Sequence, residues 1–148
     1  MNKDHSKFRS AVHLFLVRDE RILLMRRFNT GFEDGKYGVP AGHIDRNESA
    51  SEAMIREAKE ETGITISIDK LKMVQVMHRK STEEYIDFFF EVKEWHGTPN
   101  IGEPDKCDDL NWFATSQLPP NIIPYLRVSI ENYGNKIPYS EFGWNNSR

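Results

Sequence analysis

Cysteine is almost absent from this chain. Cys107 is the only one in 148 residues, so no disulfide can form within it and a reducing compartment fits best. Long apolar runs are missing too, and none approaches the roughly 20 residues that a membrane-crossing helix needs. Positive charge is not in excess. The formal net charge of −3 supplies no basic field for sequence-independent binding to DNA or RNA. Residues 1–9 are polar and lack the apolar core of a signal peptide. No internal repeat, low-complexity tract or linker divides the chain. What remains is an ordinary globular composition, 38% hydrophobic and 29% charged. The expectation is one domain over residues 1–148, with residues 1–9 and 140–148 as peripheral tails. It is a cytoplasmic protein with neither a membrane nor a nucleic acid polymer as partner.

Against these absences stand several well-patterned segments. Residues 12–17 (VHLFLV) read as a mostly buried strand, residues 18–20 as a turn, and residues 21–26 as its hairpin partner. Residues 29–38 hold three glycines with little apolar periodicity and read as a loop. Ser49 followed by Glu52 forms a capping box, and Gly63 is placed to stop a helix spanning residues 50–62. Two strands follow at 71–78 and 85–92, joined by a turn at 79–84, with Phe88, Phe89 and Phe90 as central-strand core. A loop at 95–109 precedes a short strand at 110–113. Residues 122–133 read as a second helix with Pro124 in its first turn. The tail at 134–148 reads as irregular.

The most informative segment is GHIDRNE at residues 42–48 with REAKEETGI at residues 56–64. Glu57, Glu60 and Glu61 stand three and four residues apart and share one helix face, where like charges repel by roughly 0.2–0.5 kcal/mol per pair. At about 100° per residue this acidic arc overlaps the directions of Ala50 and Ala53, while Glu52 and Lys59 point away. A merely solvated acidic face would sit across from the apolar stripe. An arc bordering the stripe, beside a glycine turn, calls for positive charge, and a hard divalent cation with oxygen ligands is the natural candidate.

These residues match the signature of the Nudix hydrolases at every fixed position. Gly42, Glu48, Arg56, Glu57, Glu60, Glu61 and Gly63 fill it, with Ala58 and Ile64 at its apolar places. The resemblance implies an α/β (α+β) fold, an αβα sandwich with a mixed central β-sheet between helices. It also implies hydrolysis of a nucleoside diphosphate linked to another group, with Mg²⁺ or Mn²⁺ as cofactor. Carried onto this chain, Glu60 and Glu61 are metal ligands, and Glu57 is a further ligand or the base that activates water. Arg56 belongs with this catalytic set and pairs with Glu48 to hold the loop on the helix. The backbone carbonyl of Ala41 completes the metal shell, at a position where many relatives have glycine. Gly42, Glu48 and Gly63 are the structural members. Phosphoanhydride hydrolysis needs charge neutralised on the phosphoryl oxygens and a water held in line, which a carboxylate-rich helix beside a tight turn suits.

A second resemblance concerns residues 95–99 (WHGTP) and Glu103, which look like the loop that carries an extra metal-binding or catalytic Glu in MutT-type nucleoside triphosphatases. Glu83 and Glu84 are rivals for that role. Arg26, Arg27 and Arg79 are candidate phosphate or base contacts, although strand-end charges are equally ordinary. Asn121 lies near where a MutT-type relative uses Asn to read the base. Trp112 and Phe32 could stack on a base or simply pack, and Cys107 reads as a packing residue. The five histidines show no zinc-ligand spacing.

The leading expectation is a pyrophosphohydrolase that cleaves a (deoxy)nucleoside triphosphate, common or oxidised, to the monophosphate and pyrophosphate, as a monomer or homodimer. The alternative is an ADP-ribose or nucleoside diphosphate sugar pyrophosphatase. Relatives of that kind often carry a proline about sixteen residues past the motif, and none occurs here between Ile64 and Pro99. A non-catalytic nucleotide sensor commonly loses motif acids, and none is lost. An isoprenoid diphosphate isomerase needs a catalytic cysteine, and Cys107 falls in the loop beyond the strands. RNA decapping lacks a basic patch to support it.

Overall fold

The structure, a computed structural model, describes residues 4–144. Its strands are β1 (Arg9–Arg18), β2 (Arg21–Arg27), β3 (Tyr37–Gly38), β4 (Ala41–His43), β5 (Lys72–Lys80), β6 (Glu84–Val92), β7 (Cys107–Ala114) and β8 (Tyr139–Phe142). Its helices are α1 (Ala50–Thr62) and α2 (Pro124–Gly134), with a 3-10 turn at Ile68–Lys70. One mixed sheet runs in the order β3-β2-β1-β6-β5-β8, with β4 added to β1 and β7 to β2. β1 is parallel to β6 from Arg9↔Tyr85 to Leu16↔Val92 and antiparallel to β4.

Side chains alternate across a strand, and here the two sets feed two cores. Val12, Leu14, Leu16, Phe90 and Val92 pack against Ala53, Met54 and Ala58 of α1. Phe15, Met77 and Phe89 pack against Leu126 and Ile130 of α2 on the opposite face. Burial on both faces is why β1 reads as a near-continuous apolar run. Each fully buried Leu or Phe contributes about 1.5–3 kcal/mol, so the αβα layering rests on these cores. Phe89 and Phe90 are buried, which places the phenylalanine run in the sheet's interior as expected.

α1 has the expected bounds. Ser49 accepts from the Glu52 backbone N–H, the Glu52 side chain accepts from Ser49 N–H, and Gly63 closes the helix at φ 79°. The β1–β2 turn places both Asp19 and Glu20 at positive φ, 54° and 60°, as a two-residue hairpin loop of the right twist requires.

Several boundaries differ from the sequence reading: β1 and β2 run longer, β3 falls within the expected loop at 29–38, and α2 starts two residues later. β5 runs to Lys80, so Arg79 is a strand residue and the connection shrinks to residues 81–83, because Arg79↔Tyr85 and Lys80↔Glu84 pairs extend the ladder. β7 begins at Cys107, held by pairing with β2 from Arg27↔Cys107 to Arg21↔Ala114. The tail also contains β8, parallel to β5 from Val76↔Tyr139 to Arg79↔Phe142. A four-residue edge strand needs partners on one side only, and Tyr139 is half exposed, so its residues carry little apolar alternation. The tail boundary set at residue 140 therefore falls inside a strand, while the ends of both expected tails, residues 1–3 and 145–148, lie outside the described residues.

Candidate active site

The site begins where β4 leaves β1. The pairs His13↔Ala41 and Val12↔Gly42 bring the glycine turn onto α1. A Cβ on Gly42 would lie 2.2 Å from Glu57 Cδ, so only glycine lets this carboxylate settle against the turn. One helical turn further on, Ala41 N–H donates to Glu61 Oε2 at 3.0 Å.

Arg56 organises the exposed side of the same turn. Its Nε and one terminal nitrogen donate to the two Glu48 carboxylate oxygens at 2.7 and 2.9 Å. Further bonds reach Glu57 Oε1 at 2.8 Å and the His43 carbonyl at 3.1 Å, with longer contacts to Glu60 at 3.4–3.5 Å. The bidentate bond from Arg56 holds the Glu48 carboxyl down at about 2. Loop and helix are thereby clamped before any ligand arrives.

The other acids are compensated only in part. Burial pushes the Glu61 carboxyl well above the ordinary glutamate range, and the charges of Glu57 and Glu103 push it further than the Ala41 hydrogen bond can offset. Burial also raises Glu57, against the opposing pull of Arg56. The single nearby guanidinium, Arg56, is shared among Glu48, Glu57 and Glu60, so these acids carry more negative charge than it neutralises. That donor set, all oxygen and in excess of its counter-charge, fits a hard divalent cation. Among the described residues no three His, Cys, Asp or Glu side chains are already grouped as a metal cage, because Glu61 is turned to Ala41 and Glu57 to Arg56.

Glu57, Glu60 and Glu61 open into a cavity of about 680 Å³, within the size range of ordinary small-molecule sites. Ala41, Gly42 and Glu103 share its wall with them. So do Arg26, Arg27 and Arg79, but each is partly committed. Arg26 Nε donates to Asp108 at 2.7 Å, and Arg27 donates to the Phe32 carbonyl and Thr30 Oγ1. Arg79 is buried and donates twice to Asp87.

Other expected residues fall elsewhere. Asn121 is not among the lining residues; its amide donates to the Gly35 carbonyl at 2.9 Å and braces the loop at residues 29–36. Glu83 pairs with Arg9, and Glu84 lies beside His78, both away from the lining. Trp112 stacks on Trp95, whereas Phe32 stands half exposed at the cavity wall. Cys107 is buried and donates to the Asp109 carbonyl. Sequence reasoning passed over His13, Tyr85, Lys106 and Tyr125, all of which line the cavity, and Asp87 behind them. A signal existed: His13 and Asp87 are lone polar residues inside otherwise apolar strand runs.

Fold and site together define a class, and comparison with known proteins agrees. Residues 7–133 match the family model of the NUDIX domain. The chain therefore belongs to the Nudix family, hydrolases that act on phosphoanhydride bonds and generally use divalent metal ions. It is 33% identical over 124 residues to the ADP-ribose pyrophosphatase of Methanocaldococcus jannaschii, spanning 83% of this chain and 71% of that one. It is 25% identical over 118 residues to the NAD-capped RNA hydrolase NudC of Pseudomonas entomophila, covering 80% of this chain but 41% of the relative's length. Among solved structures, the MutT NUDIX hydrolase from Burkholderia pseudomallei superposes with a TM-score of 0.79 at 29% identity, covering 85% of this chain and 98% of that one.

Proposed function

We propose that the chain hydrolyses a (deoxy)nucleoside triphosphate, common or oxidised, to the monophosphate and pyrophosphate, with Mg²⁺ or Mn²⁺ held by Glu57, Glu60 and Glu61 and completed by the Ala41 carbonyl and Glu103. The observation that carries this reading is the convergence of those acids with Arg26, Arg27 and Lys106 on one cavity wide enough for a nucleotide. The MutT neighbour supports the triphosphate branch. The bound cation would supply charge neutralisation on the phosphoryl oxygens and lower the pKa of a water.

The chain's own groups do the rest. Lys106 and the partly engaged Arg26 and Arg27 orient the phosphate chain by hydrogen bonds to its oxygens. Glu57, raised by burial and lying against Gly42, would serve as a further ligand or as the base that takes the proton of the attacking water. Arg56 holds Glu57 and Glu48 in position and so belongs to the catalytic set through the groups it fixes. The substrate is a small molecule; a reducing, cytoplasmic setting agrees with the lone, buried thiol of Cys107. Monomer and homodimer both suit this site, which draws on one chain.

An ADP-ribose or nucleotide-sugar pyrophosphatase is the second reading, favoured by the 33% identical archaeal relative. A panel of nucleoside triphosphates, oxidised triphosphates, ADP-ribose and nucleotide sugars decides between them when assayed with Mg²⁺ by phosphate release, with and without inorganic pyrophosphatase, and by chromatographic separation of the nucleotide products. The separation is needed because ADP-ribose and nucleotide sugars yield a monophosphate and a sugar phosphate but no pyrophosphate. Phosphate that appears from triphosphates only with the coupling enzyme supports the first reading. Turnover confined to ADP-ribose or sugar nucleotides supports the second.

A further inference from the structure

One end of the cavity is built from groups that the hydrolysis above does not use. Arg79 of β5 donates through Nε to Asp87 Oδ2 at 2.6 Å and through Nη2 to Asp87 Oδ1 at 3.2 Å. Its Cζ lies 4.2 Å from the ring centre of Tyr85 and 4.0 Å from that of Tyr125. Arg79 and both tyrosines line the same cavity as the motif acids. The strands β4, β1, β6 and β5 stand side by side, so three strand spacings of about 4.8 Å separate the turn at Ala41 from Arg79. Arg79 therefore occupies the end of the cavity away from the acids.

A guanidinium is a rigid, planar fork of five donors. Asp87 takes the side formed by Nε and one N–H of Nη2, and the two tyrosine rings crowd the faces. What remains is the end of the fork, a parallel pair of N–H groups on Nη1 and Nη2. Nη1 bonds to no described residue, yet it is not one of the buried polar atoms left without a partner, so it keeps accessible surface. Arg79 lines the cavity and is only 7% exposed, so that surface opens into the cavity. Its charge is already matched by Asp87, whereas Arg26, Arg27 and Lys106 offer positive charge to the phosphates. An uncharged ligand edge that arrives in the plane of the guanidinium, with two acceptors side by side, fits this end.

We propose that Arg79 is a specificity-determining residue whose free end donates two hydrogen bonds to adjacent acceptors on the edge of the substrate's base, the O6 and N7 pattern of a 6-oxopurine. Arginine pairs with those two atoms bidentately, and the pairing discriminates against other bases. Adenine places an N–H donor where O6 would be and leaves the fork unpaired. 8-Oxoguanine carries a hydrogen on N7 and offers the fork one acceptor in place of two, so the common 6-oxopurines are favoured over it. Asp87 acts through Arg79 as a positioning residue, since its bidentate bond fixes the direction of the fork. The identity of the ligand as a base rests on the function proposed above, and the reading of the acceptor pair can be tested without turnover.

The test is calorimetric titration of the full chain, with Mg²⁺, using GMP, IMP, AMP and 7-deaza-GMP, which replaces N7 by a C–H. Wild type should bind GMP and IMP about tenfold more tightly than AMP and 7-deaza-GMP. Arg79→Lys keeps a positive charge against Asp87 and loses the fork. In that variant GMP and IMP should weaken about tenfold, while AMP and 7-deaza-GMP change little.

Equal affinities for the four nucleotides in wild type, or no binding by any of them, overturn the proposal. A uniform loss across all four in Arg79→Lys overturns it too, because that result places Arg79 on the phosphate. If the variant does not fold, the wild-type ratio of GMP to 7-deaza-GMP, which differ at one ring position, decides alone. A preference for GMP and IMP without triphosphate turnover leaves the base reading standing and removes the proposed hydrolysis. Triphosphate turnover with no such preference does the reverse.

Discussion

At the scale of single residues, the site turns on a half-buried carboxylate pair that Arg56 neutralises only in part. The Glu61 carboxyl is held up first by burial and then by the charges of Glu57 and Glu103. Replacing Glu61 with Gln keeps the shape and removes the charge. The metal-free fold should lose nothing: a carboxyl raised in the folded state destabilises it as pH climbs past the ordinary glutamate value, and Gln abolishes that loss. In EDTA at pH 8 the melting temperature of Glu61→Gln should equal or exceed that of wild type. Turnover of the preferred nucleotide with Mg²⁺ should nevertheless fall at least a hundredfold in both Glu60→Gln and Glu61→Gln, a loss of about 2.7 kcal/mol or more of the charge stabilisation that a metal supplies. Full activity in the two variants would remove the metal assignment. Gly42 gives an independent handle. Because its added Cβ would meet Glu57 2.2 Å away, Gly42→Ala should displace that carboxylate and cost about tenfold or more in kcat, read beside a circular dichroism spectrum that stays native.

At the scale of elements, local chemistry explains what was legible and what was not. α1 could be bounded to the residue because its signals are local: Ser49 and Glu52 cap one end and Gly63 the other. β8 was hidden because a four-residue edge strand has no alternation to betray it. The Arg79–Asp87–His13 chain was equally hidden, since His13 and Asp87 are 74 residues apart and meet only through parallel pairing of β1 with β6. Burial opposes ionisation of Asp87, yet the His13 and Arg79 bonds outweigh it and hold its carboxyl below the ordinary aspartate value. Its contribution to stability is therefore complete above about pH 4, the unfolded aspartate range, and is lost as pH falls through the lower folded value. Melting temperature followed from pH 5 to pH 2 should show that decline in wild type, and Asp87→Asn should flatten it at a cost of about 3–5 kcal/mol at neutral pH. The β1–β2 turn offers the opposite sign. Glu20 is exposed and sits at φ 60°, where glycine is at ease and other residues are strained. Glu20→Gly should raise stability by about 0.5–1 kcal/mol in urea unfolding, and a loss would show that Glu20 makes a contact worth more than the strain.

At the scale of the whole molecule, the layering was readable and the cavity was not. Two alternating sets of apolar residues in β1 and β6 pack against a helix on each face, the layering that the family resemblance implied, with α1 as one of the helices. What closes a cavity around that helix is tertiary: β4 laid on β1, the loop carrying Glu103 and Lys106 folded back toward Glu61, and Tyr125 of α2 reaching over Arg79. None of these approaches has a short-range signature. Asn121 shows the limit from the other side, because its chemistry suits a base contact while the fold uses it to brace the loop at Gly35.

The function proposed for this cavity, with a divalent cation on Glu57, Glu60 and Glu61, is cleavage of a nucleoside triphosphate between its α and β phosphorus atoms. The measurement that tests it most directly is ³¹P NMR of the wild-type protein with Mg²⁺ and a panel of common and oxidised triphosphates. The expected result is monophosphate and pyrophosphate appearing together in equal amounts and ceasing on addition of EDTA. Diphosphate with orthophosphate, or hydrolysis that EDTA does not stop, would contradict it.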